Sequence, residues 1–460
     1  MKRRFALLFA LAACSGASNR PTKPTPSDET DPDGPHRAAV AAQVKPYLDA
    51  EVVSGLVVGL YDSGKLEIYG FGKGADGAPP NGKTLYEIGS ITKVYTSLLL
   101  ADAVQRREVE LETAVSELLP PGITVPTKDK TPITLKHLAL HASGLPRLPP
   151  SLGTEPKADP YAGYGEEQLY QDLLGTELQN PPGTRIVYSN YGAGLLGHVL
   201  GRRVGGGFAA ALRERILVPL GFKDTFLGFP AGTESRRAQG TDEDLQPVVP
   251  WTFDALAGAG ALVSTARDQL QLIDAELDAA AGGKAPLRAP MRLTQEDQLE
   301  STGGPNTGLG WQIDREGRYW HNGGTGGYHA FVGFDIKSRR GVVILASTSS
   351  SLVDRLADSM YKVLEGAPPV AAKFPAPEQL VKFAGTYDFQ GQKLIVTVGG
   401  KRLYIEGPGE PKHRMSPLSD HEFFIEPIQA AAVFREEEGK VKALLFAIGE
   451  HTLVANRVEN

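Results

Sequence analysis

The segment Tyr86-Glu-Ile-Gly-Ser-Ile-Thr-Lys-Val-Tyr-Thr-Ser-Leu-Leu-Leu100 constrains this chain more than any other. Gly89 frees the backbone for a sharp entry, and Ser90 stands where a helix N-cap belongs. Ile91, Val94, Tyr95, Leu98 and Leu99 then recur at helical spacing, which predicts a buried helix. Lys93 follows Ser90 by three residues, so it shares a helix face with the Ser90 hydroxyl. A serine attacks only when a base takes its proton. A desolvated lysine near other cations can lose enough of its pKa of about 10.4 to act as that base. The helix N-terminus adds positive potential where an oxyanion would form. Ser90 is therefore a candidate nucleophile, with Lys93 as its base. Taken alone, the same residues also describe a capping serine and a solvated lysine, and only the rest of the chain separates the two readings.

The N-terminus has the pattern of an export signal. Met1-Lys-Arg-Arg gives a basic start, and a short apolar run ends at Leu11-Ala-Ala-Cys14. The run is too short to span a bilayer as a helix. Its end resembles the lipobox of bacterial lipoproteins, and Cys14 is the only cysteine in the chain, so no intrachain disulfide forms. Residues 1–14 are expected to be a lipoprotein signal peptide, with Cys14 as the lipidation site. Ser15 is non-acidic, which in Gram-negative lipoproteins permits transfer to the outer membrane, so the expected location is the cell envelope, facing the periplasm. Residues 15–36 are rich in Ser, Asn, Pro, Thr and Asp and lack large apolar side chains, as in a disordered tether.

The remaining length calls for a large domain plus a small one. A net charge of −6 with 22% charged residues leaves no basic stripe for nucleic acid. No cofactor or zinc-site spacing is visible. His137 and His141 stand at i and i+4 but lack a third ligand at a usual distance, so they read as helix surface and packing.

Leu56–Tyr61 and Leu66–Phe71 predict a hairpin around Asp62-Ser63-Gly64-Lys65. Thr134 caps a short helix that ends at Gly144 and Pro146. Pro181-Pro-Gly then holds a loop carrying Tyr188-Ser189-Asn190, ahead of an apolar helical run from Leu195. Tyr188 could exchange a proton with Ser90 if Lys93 holds its hydroxyl deprotonated, and Asn190 offers an amide to orient a substrate. Ser264 or Thr265 caps a later helix. His321-Asn322-Gly323 ends on a strand edge where glycine admits a substrate backbone. The glycines from Gly323 to Gly333 either form a plain loop or turn backbone N–H groups toward a ligand. Gly341–Ser347 would complete the sheet.

The order Ser90-x-x-Lys93, Tyr188-x-Asn190, His321-x-Gly323 resembles the superfamily of class C β-lactamases, D,D-peptidases and related esterases. Local phrases such as ITLKHLALHASGLP, YSNYGAGLLG and HNGGTGGYHAFVGFD are also similar to it. The resemblance covers about residues 37–360. It implies an α+β fold, an antiparallel sheet flanked by helices beside an all-helical subdomain, with the site in the crevice between them. It implies Ser90 as the acylated nucleophile, Lys93 and Tyr188 as base and acid, and Asn190, His321 and Gly323 as substrate-binding residues. The implied oxyanion hole uses the backbone N–H groups of Ser90 and Gly324. The third motif departs from the Lys-Thr-Gly of the lactamases. His321 would be a weaker, pH-dependent cation for a substrate carboxylate, and Asn322 removes a hydroxyl, which puts efficient β-lactam hydrolysis in doubt.

The hydrolase domain is expected over 37–366, followed by a Pro-rich linker at 367–377 and a second domain at 378–460. Lys393–Val398 and Lys401–Glu406 around Gly399-Gly400 give a hairpin signal. Short strands at Phe423–Glu426, Ala432–Arg435, Val441–Ala447 and Thr452–Val458 suggest a small antiparallel β-barrel, similar to the lipocalin-like domains attached to some relatives. The expected activity is a serine hydrolase forming an acyl-enzyme on β-lactam, D-amino-acid peptide or small ester substrates. The alternative is a penicillin-binding sensor or cell-wall-binding protein that does not turn over. Expected partners are the substrate and, through the lipid, a membrane.

Overall fold

The first strand, β1 (Gly55–Asp62), shows how the fold is layered. Leu56, Val58 and Leu60 enter one hydrophobic core while Val57 and Tyr61 enter another, as period-two alternation requires. A computed structural model describes residues 34–74, 77–153, 157–298, 306–367, 370–448 and 451–458. The expected signal peptide with Cys14, and residues 15–33 of the expected tether, lie outside them, whereas residues 34–36 are described and His36 Nδ1 lies 3.0 Å from the Glu67 carboxylate, so the end of that stretch packs on the fold.

Strand β1 turns into β2 (Lys65–Gly72) through Ser63 and Gly64, both with positive φ (51° and 95°), as a tight hairpin turn demands. Strands β3 (Tyr86–Glu87), β4 (Phe226–Leu227) and β5 (Leu262–Ser264) form a small sheet ordered β3-β5-β4. The remaining strands of this part are β6 (Asn306–Thr307), β7 (Gln312–Ile313), β8 (Tyr319–Gly324), β9 (His329–Asp335) and β10 (Arg340–Ala346). With β1 and β2 they make a seven-stranded antiparallel sheet ordered β2-β1-β10-β9-β8-β7-β6.

Helices α1 (Arg37–Asp49) and α9 (Asp354–Leu364) cover one face of this sheet, where Val40, Val44, Leu356 and Met360 meet Leu56, Val342 and Ile344. The other face packs on α7 (Ala266–Ala280) and, beyond it, on α2 (Thr92–Gln105). Thr265 caps α7 by accepting from the Asp268 N–H at 3.3 Å. Beside the sheet stand α3 (Leu135–Ala139), α4 (Glu166–Gly175), α5 (Asn190–Val204) and α6 (Gly207–Leu212), while α8 (Arg288–Gln295) packs against α2 and α7.

Every residue of α2 from Thr92 to Ala103 is buried. A helix enclosed on all sides cannot be amphipathic, and truncating one of its leucines to alanine should cost about 2–5 kcal/mol.

The C-terminal strands close into an antiparallel barrel. They are β11 (Gly385–Phe389), β12 (Gln392–Gly399), β13 (Arg402–Glu406), β14 (His413–Pro417), β15 (Glu422–Ile425), β16 (Ala430–Glu437), β17 (Lys440–Ile448) and β18 (His451–Arg457). Strands β11 and β14 were not anticipated. Closure pairs β11 with β18, which leaves no sheet edge. A 3-10 turn at Pro377–Phe383 drives Phe383 into the barrel against Phe423 and Phe434, with ring centroids 5.3 and 4.5 Å away. Aromatic side chains therefore fill the interior.

The barrel docks through polar groups. The buried Arg414 guanidinium donates to the carbonyls of Glu243, Ala50 and Glu51. Arg402 pairs with Glu51 at 2.9 Å, and Tyr404 donates to Asp244 at 2.7 Å.

Candidate active site

Ser90 departs from its expected position as an N-cap. It sits inside a 3-10 turn, Gly89–Ile91, that runs straight into α2, and no side chain caps either element. The reason lies in the neighbouring strand. Strand β7 pairs with β8 only at Tyr319 and Trp320, so the Gly323-Gly324 end of β8 is left to lie against Ile88–Ser90. A Cβ on Gly323 would fall 2.1 Å from the Ile88 carbonyl oxygen and 2.7 Å from the Ser90 nitrogen. Gly89, at φ +49°, would clash with Gly324 in the same way, with its Cβ 2.9 Å from the Gly324 oxygen. Glycine is needed on both sides of this contact. It sets the backbone of Gly323 beside Ile88 and Ser90 and that of Gly324 beside Gly89.

The i, i+3 geometry predicted for Lys93 holds. Its Nζ lies 2.9 Å from Ser90 Oγ, 2.9 Å from Asn190 Oδ1 and 2.7 Å from the Ala259 carbonyl oxygen. The side chain is 3% exposed and has no carboxylate partner among the described residues. Burial, and then the charge of Arg147, push the Lys93 pKa well below that of an ordinary lysine. A lysine shifted toward its neutral amine at hydrogen-bond distance from a serine hydroxyl is placed to act as a base.

Tyr188 faces the same serine but in the opposite protonation state. Burial pushes its hydroxyl up to about 12, opposed by contact with the Ser90 hydroxyl and by Arg147. A tyrosinate is therefore not the resting form. The lysine is shifted toward its free amine, while the phenol keeps its proton. The Tyr188 ring is held by His141, with ring centroids 4.4 Å apart, and by Lys93 Nζ, 4.9 Å from its centroid.

Of the helix-surface and packing roles expected of His141, the packing one holds, and the residue lies just past the end of α3 at Ala139. Its Nδ1 accepts from the Ser189 N–H at 3.2 Å, which fixes the loop carrying Tyr188. His137 closes the turn of α3, its Nδ1 accepting from Thr134 N–H at 3.2 Å while Thr134 Oγ1 accepts from His137 N–H at 3.3 Å.

Helix α5 begins at Asn190, earlier than the apolar run suggested, because the Ser189 hydroxyl caps it by accepting from Gly192 N–H at 2.9 Å. This places Asn190 in the first turn. Its carbonyl takes the Lys93 amine, and its amide donates to the Tyr161 hydroxyl at 2.8 Å. Much of the amide's bonding capacity thus goes to holding Lys93 and Tyr161.

His321 differs most from expectation. It is 3% exposed and lines a pocket with His141, Tyr188 and Trp311 rather than the cleft above Ser90. Its Nδ1 donates to the Asn322 carbonyl at 2.6 Å, and burial with the nearby Lys93 lowers its pKa to about 4. At neutral pH it is not a cation. The Asn322 amide donates to Asp354 at 2.6 Å, and His329 Nε2 donates to the same carboxylate at 2.8 Å, so the strand end is braced from behind.

The cleft above Ser90 has a volume of about 580 Å³. Its lining includes Leu148, Tyr161, Trp251, Trp320, Gly323 and Gly324. Tyr161 stacks on Phe253 at 4.5 Å, and the Trp251 backbone N–H donates to Glu87 at 2.8 Å. Arg147 stands at the mouth, its guanidinium 5.3 Å from the Tyr188 ring centroid. Arg147, Tyr161 and Trp251 escaped the sequence reading. The aromatic pair Trp251-Thr-Phe253 after Pro250 was the one visible signal.

The chain is similar to known proteins in sequence and fold. The family model for beta-lactamase matches residues 40–367. The D-alanyl-D-alanine-carboxypeptidase/endopeptidase AmpH of Escherichia coli (strain K12) is 28% identical over 295 residues, covering 61% of this chain and 75% of that protein. A beta-lactamase of Pseudomonas fluorescens is 28% identical over 283 residues, covering 60% and 74%. Among solved structures, a class C beta lactamase from Rhodobacter sphaeroides superposes with a TM-score of 0.60 at 25% identity, over 71% of this chain and 99% of that one. The beta-lactamase/D-alanine carboxypeptidase from Pseudomonas syringae gives 0.62 at 23% identity, over 72% and 99%, a likeness of fold. The chain belongs to the beta-lactamase family, as a serine hydrolase of that type.

Proposed function

We propose that this hydrolase works through a covalent acyl-enzyme on Ser90, with small esters and D-amino-acid peptides as substrates and β-lactams as slower acylating agents. One observation carries the reading: a buried lysine amine, lacking a carboxylate partner among the described residues, lies 2.9 Å from Ser90 Oγ. In this mechanism Ser90 Oγ attacks the substrate carbonyl carbon while its proton passes to Lys93 Nζ. The oxyanion takes hydrogen bonds from the backbone N–H groups of Ser90 and Gly324. Collapse breaks the bond to the leaving group, which receives a proton through the Tyr188 hydroxyl. Water then attacks the ester, its proton returning along the same groups, and Ser90 is released.

The likeness to a protein named as a D-alanyl-D-alanine-carboxypeptidase/endopeptidase supports peptide substrates. The neutral His321 and the tethered Asn322 argue against strong β-lactam turnover. The same reading has the enzyme exported and lipid-anchored at Cys14, as Leu11-Ala-Ala-Cys14 suggests. Fatty-acid labelling that is lost in Cys14→Ser tests the anchor.

The activity test compares initial rates on a chromogenic cephalosporin, a p-nitrophenyl ester and a D-alanyl-D-alanine peptide, with Ser90→Ala as control. Ser90-dependent turnover, fastest on ester or peptide, is the expected result. Cephalosporin as the best substrate overturns the substrate assignment. A stable adduct without turnover on any of them identifies a sensor instead.

A further inference from the structure

One side chain sets the charge of the cleft. Among its described lining residues Arg147 is the sole cation and no carboxylate is present. Lys93 lies beneath the cleft floor with its amine enclosed, and His321 opens on the neighbouring pocket.

The Arg147 backbone is firmly held. Its carbonyl accepts from the N–H groups of Asn190 at 2.9 Å and Tyr191 at 3.2 Å, which ties it to the first turn of α5. The preceding Pro146 carbonyl accepts from the Ser189 hydroxyl at 2.7 Å, and Gly144, at φ +77°, accepts from Gln179 N–H at 2.8 Å. The side chain is exposed and forms no ion pair among the described residues. A guanidinium on a fixed backbone, unpaired and facing a reaction cleft, suits bidentate capture of a carboxylate. It lies over Tyr188, the residue assigned to protonate the leaving group, so it addresses the leaving-group side of the scissile bond.

We propose that Arg147 is a specificity-determining residue that binds a carboxylate on the leaving group of the substrate, so that the cleft selects anionic leaving groups over neutral ones. The direction of catalysis in this assignment rests on the acyl-enzyme reading above.

The test uses two esters with the same acyl group, N-acetylglycyl phenyl ester and N-acetylglycyl 3-carboxyphenyl ester. Both give the same acyl-enzyme, so kcat/KM differs only through acylation. The ratio of the two kcat/KM values also cancels any effect of Arg147 on the basicity of Lys93. Wild type should favour the carboxylated ester. Arg147→Ala should lower the ratio roughly tenfold to a hundredfold, and Arg147→Lys should restore part of it. An unchanged ratio overturns the proposal, even if both rates fall together.

A second arm needs no turnover. Binding of N-acetylglycyl-3-aminobenzoate and of the matching anilide is measured on Ser90→Ala and on Ser90→Ala with Arg147→Ala. Selective loss of the carboxylated amide is expected, and equal affinities in both proteins overturn the assignment. If neither ester is hydrolysed in a Ser90-dependent way while the binding preference still requires Arg147, the acyl-enzyme reading fails and the carboxylate site stands.

Discussion

The crevice around Ser90 and the C-terminal barrel both bury ionisable and aromatic side chains, yet they satisfy them in different ways. In the barrel, Phe383, Phe423 and Phe434 pack against one another, and the buried Tyr387 hydroxyl donates to the Phe383 carbonyl at 2.7 Å. Its buried arginine, Arg414, is spent on three carbonyls of the hydrolase domain. Around the crevice, by contrast, Lys93 has no carboxylate partner among the described residues, His141 and His321 are held neutral, and Glu87 is raised to about 7 by burial. Polar burial in the barrel seats one domain on the other. Around Ser90 it shifts the protonation equilibria of the groups that the proposed mechanism uses.

The largest expected effect that would break this contrast is at Lys93. Lys93→Met should lower kcat/KM by roughly a hundredfold to ten-thousandfold while leaving the thermal midpoint equal or higher, since an apolar side chain replaces a buried amine. Ester assays with parallel thermal melts check both halves. A falling midpoint with intact activity would make Lys93 a structural residue. The barrel should respond in the opposite sense. Phe434→Ala removes a ring packed on Phe383, Tyr387 and Phe423 and should cost about 3–5 kcal/mol in urea unfolding, with kcat/KM per folded molecule unchanged.

Two smaller effects depend on pH. Glu276 is fully buried, accepts from Gln295 at 2.6 Å, and is raised to about 8 by burial. The folded state thus holds this proton more tightly than the unfolded state. The contribution is fully present below the unfolded carboxylate value of about 4.3 and is lost as pH rises toward 8. Glu276→Gln should flatten that part of the stability-versus-pH curve, as chemical denaturation at several pH values would show.

His321 has the reverse shift, with a folded value of about 4. Its contribution to stability is therefore present above the unfolded histidine value of about 6.5 and is lost as pH falls toward 4. In catalysis it stays neutral above about pH 5. The preference for the carboxylated ester should show no inflection near 6.5, and the ring proton of His321 should titrate near 4 by NMR. An inflection near 6.5 that disappears in His321→Gln would restore the histidine as a pH-dependent cation.

What the sequence could show followed the range of the interactions. Ser90 and Lys93 are three residues apart on one turn, so local periodicity sufficed to bring them together. The Tyr188 loop was readable because prolines and a glycine precede it. The exact start of α5 was not, because the Ser189 cap outweighs the glycine-rich sequence that follows it. Tyr161 reaches Asn190 across 29 residues, and Arg147 owes its position to backbone bonds from α5, contacts that no local pattern announces. The loss of charge at His321 is likewise tertiary, arising from burial beside Lys93. In the barrel, β14 was hidden because His413-Arg-Met-Ser-Pro417 lacks β-branched residues and ends in proline, and pairing with β13 and β15 supplies what propensity does not.

The measurement closest to the central claim is the rate at which an acyl group appears on the peptide containing Ser90. It would be followed by rapid quench and mass spectrometry with N-acetylglycyl phenyl ester at a series of pH values. A neutral Lys93 acting as base predicts a Ser90 adduct whose formation depends on a group titrating well below the lysine value of about 10.4, and loss of that adduct in Lys93→Met. An adduct on another residue, or acylation of Ser90 that continues at an undiminished rate without Lys93, would contradict the account.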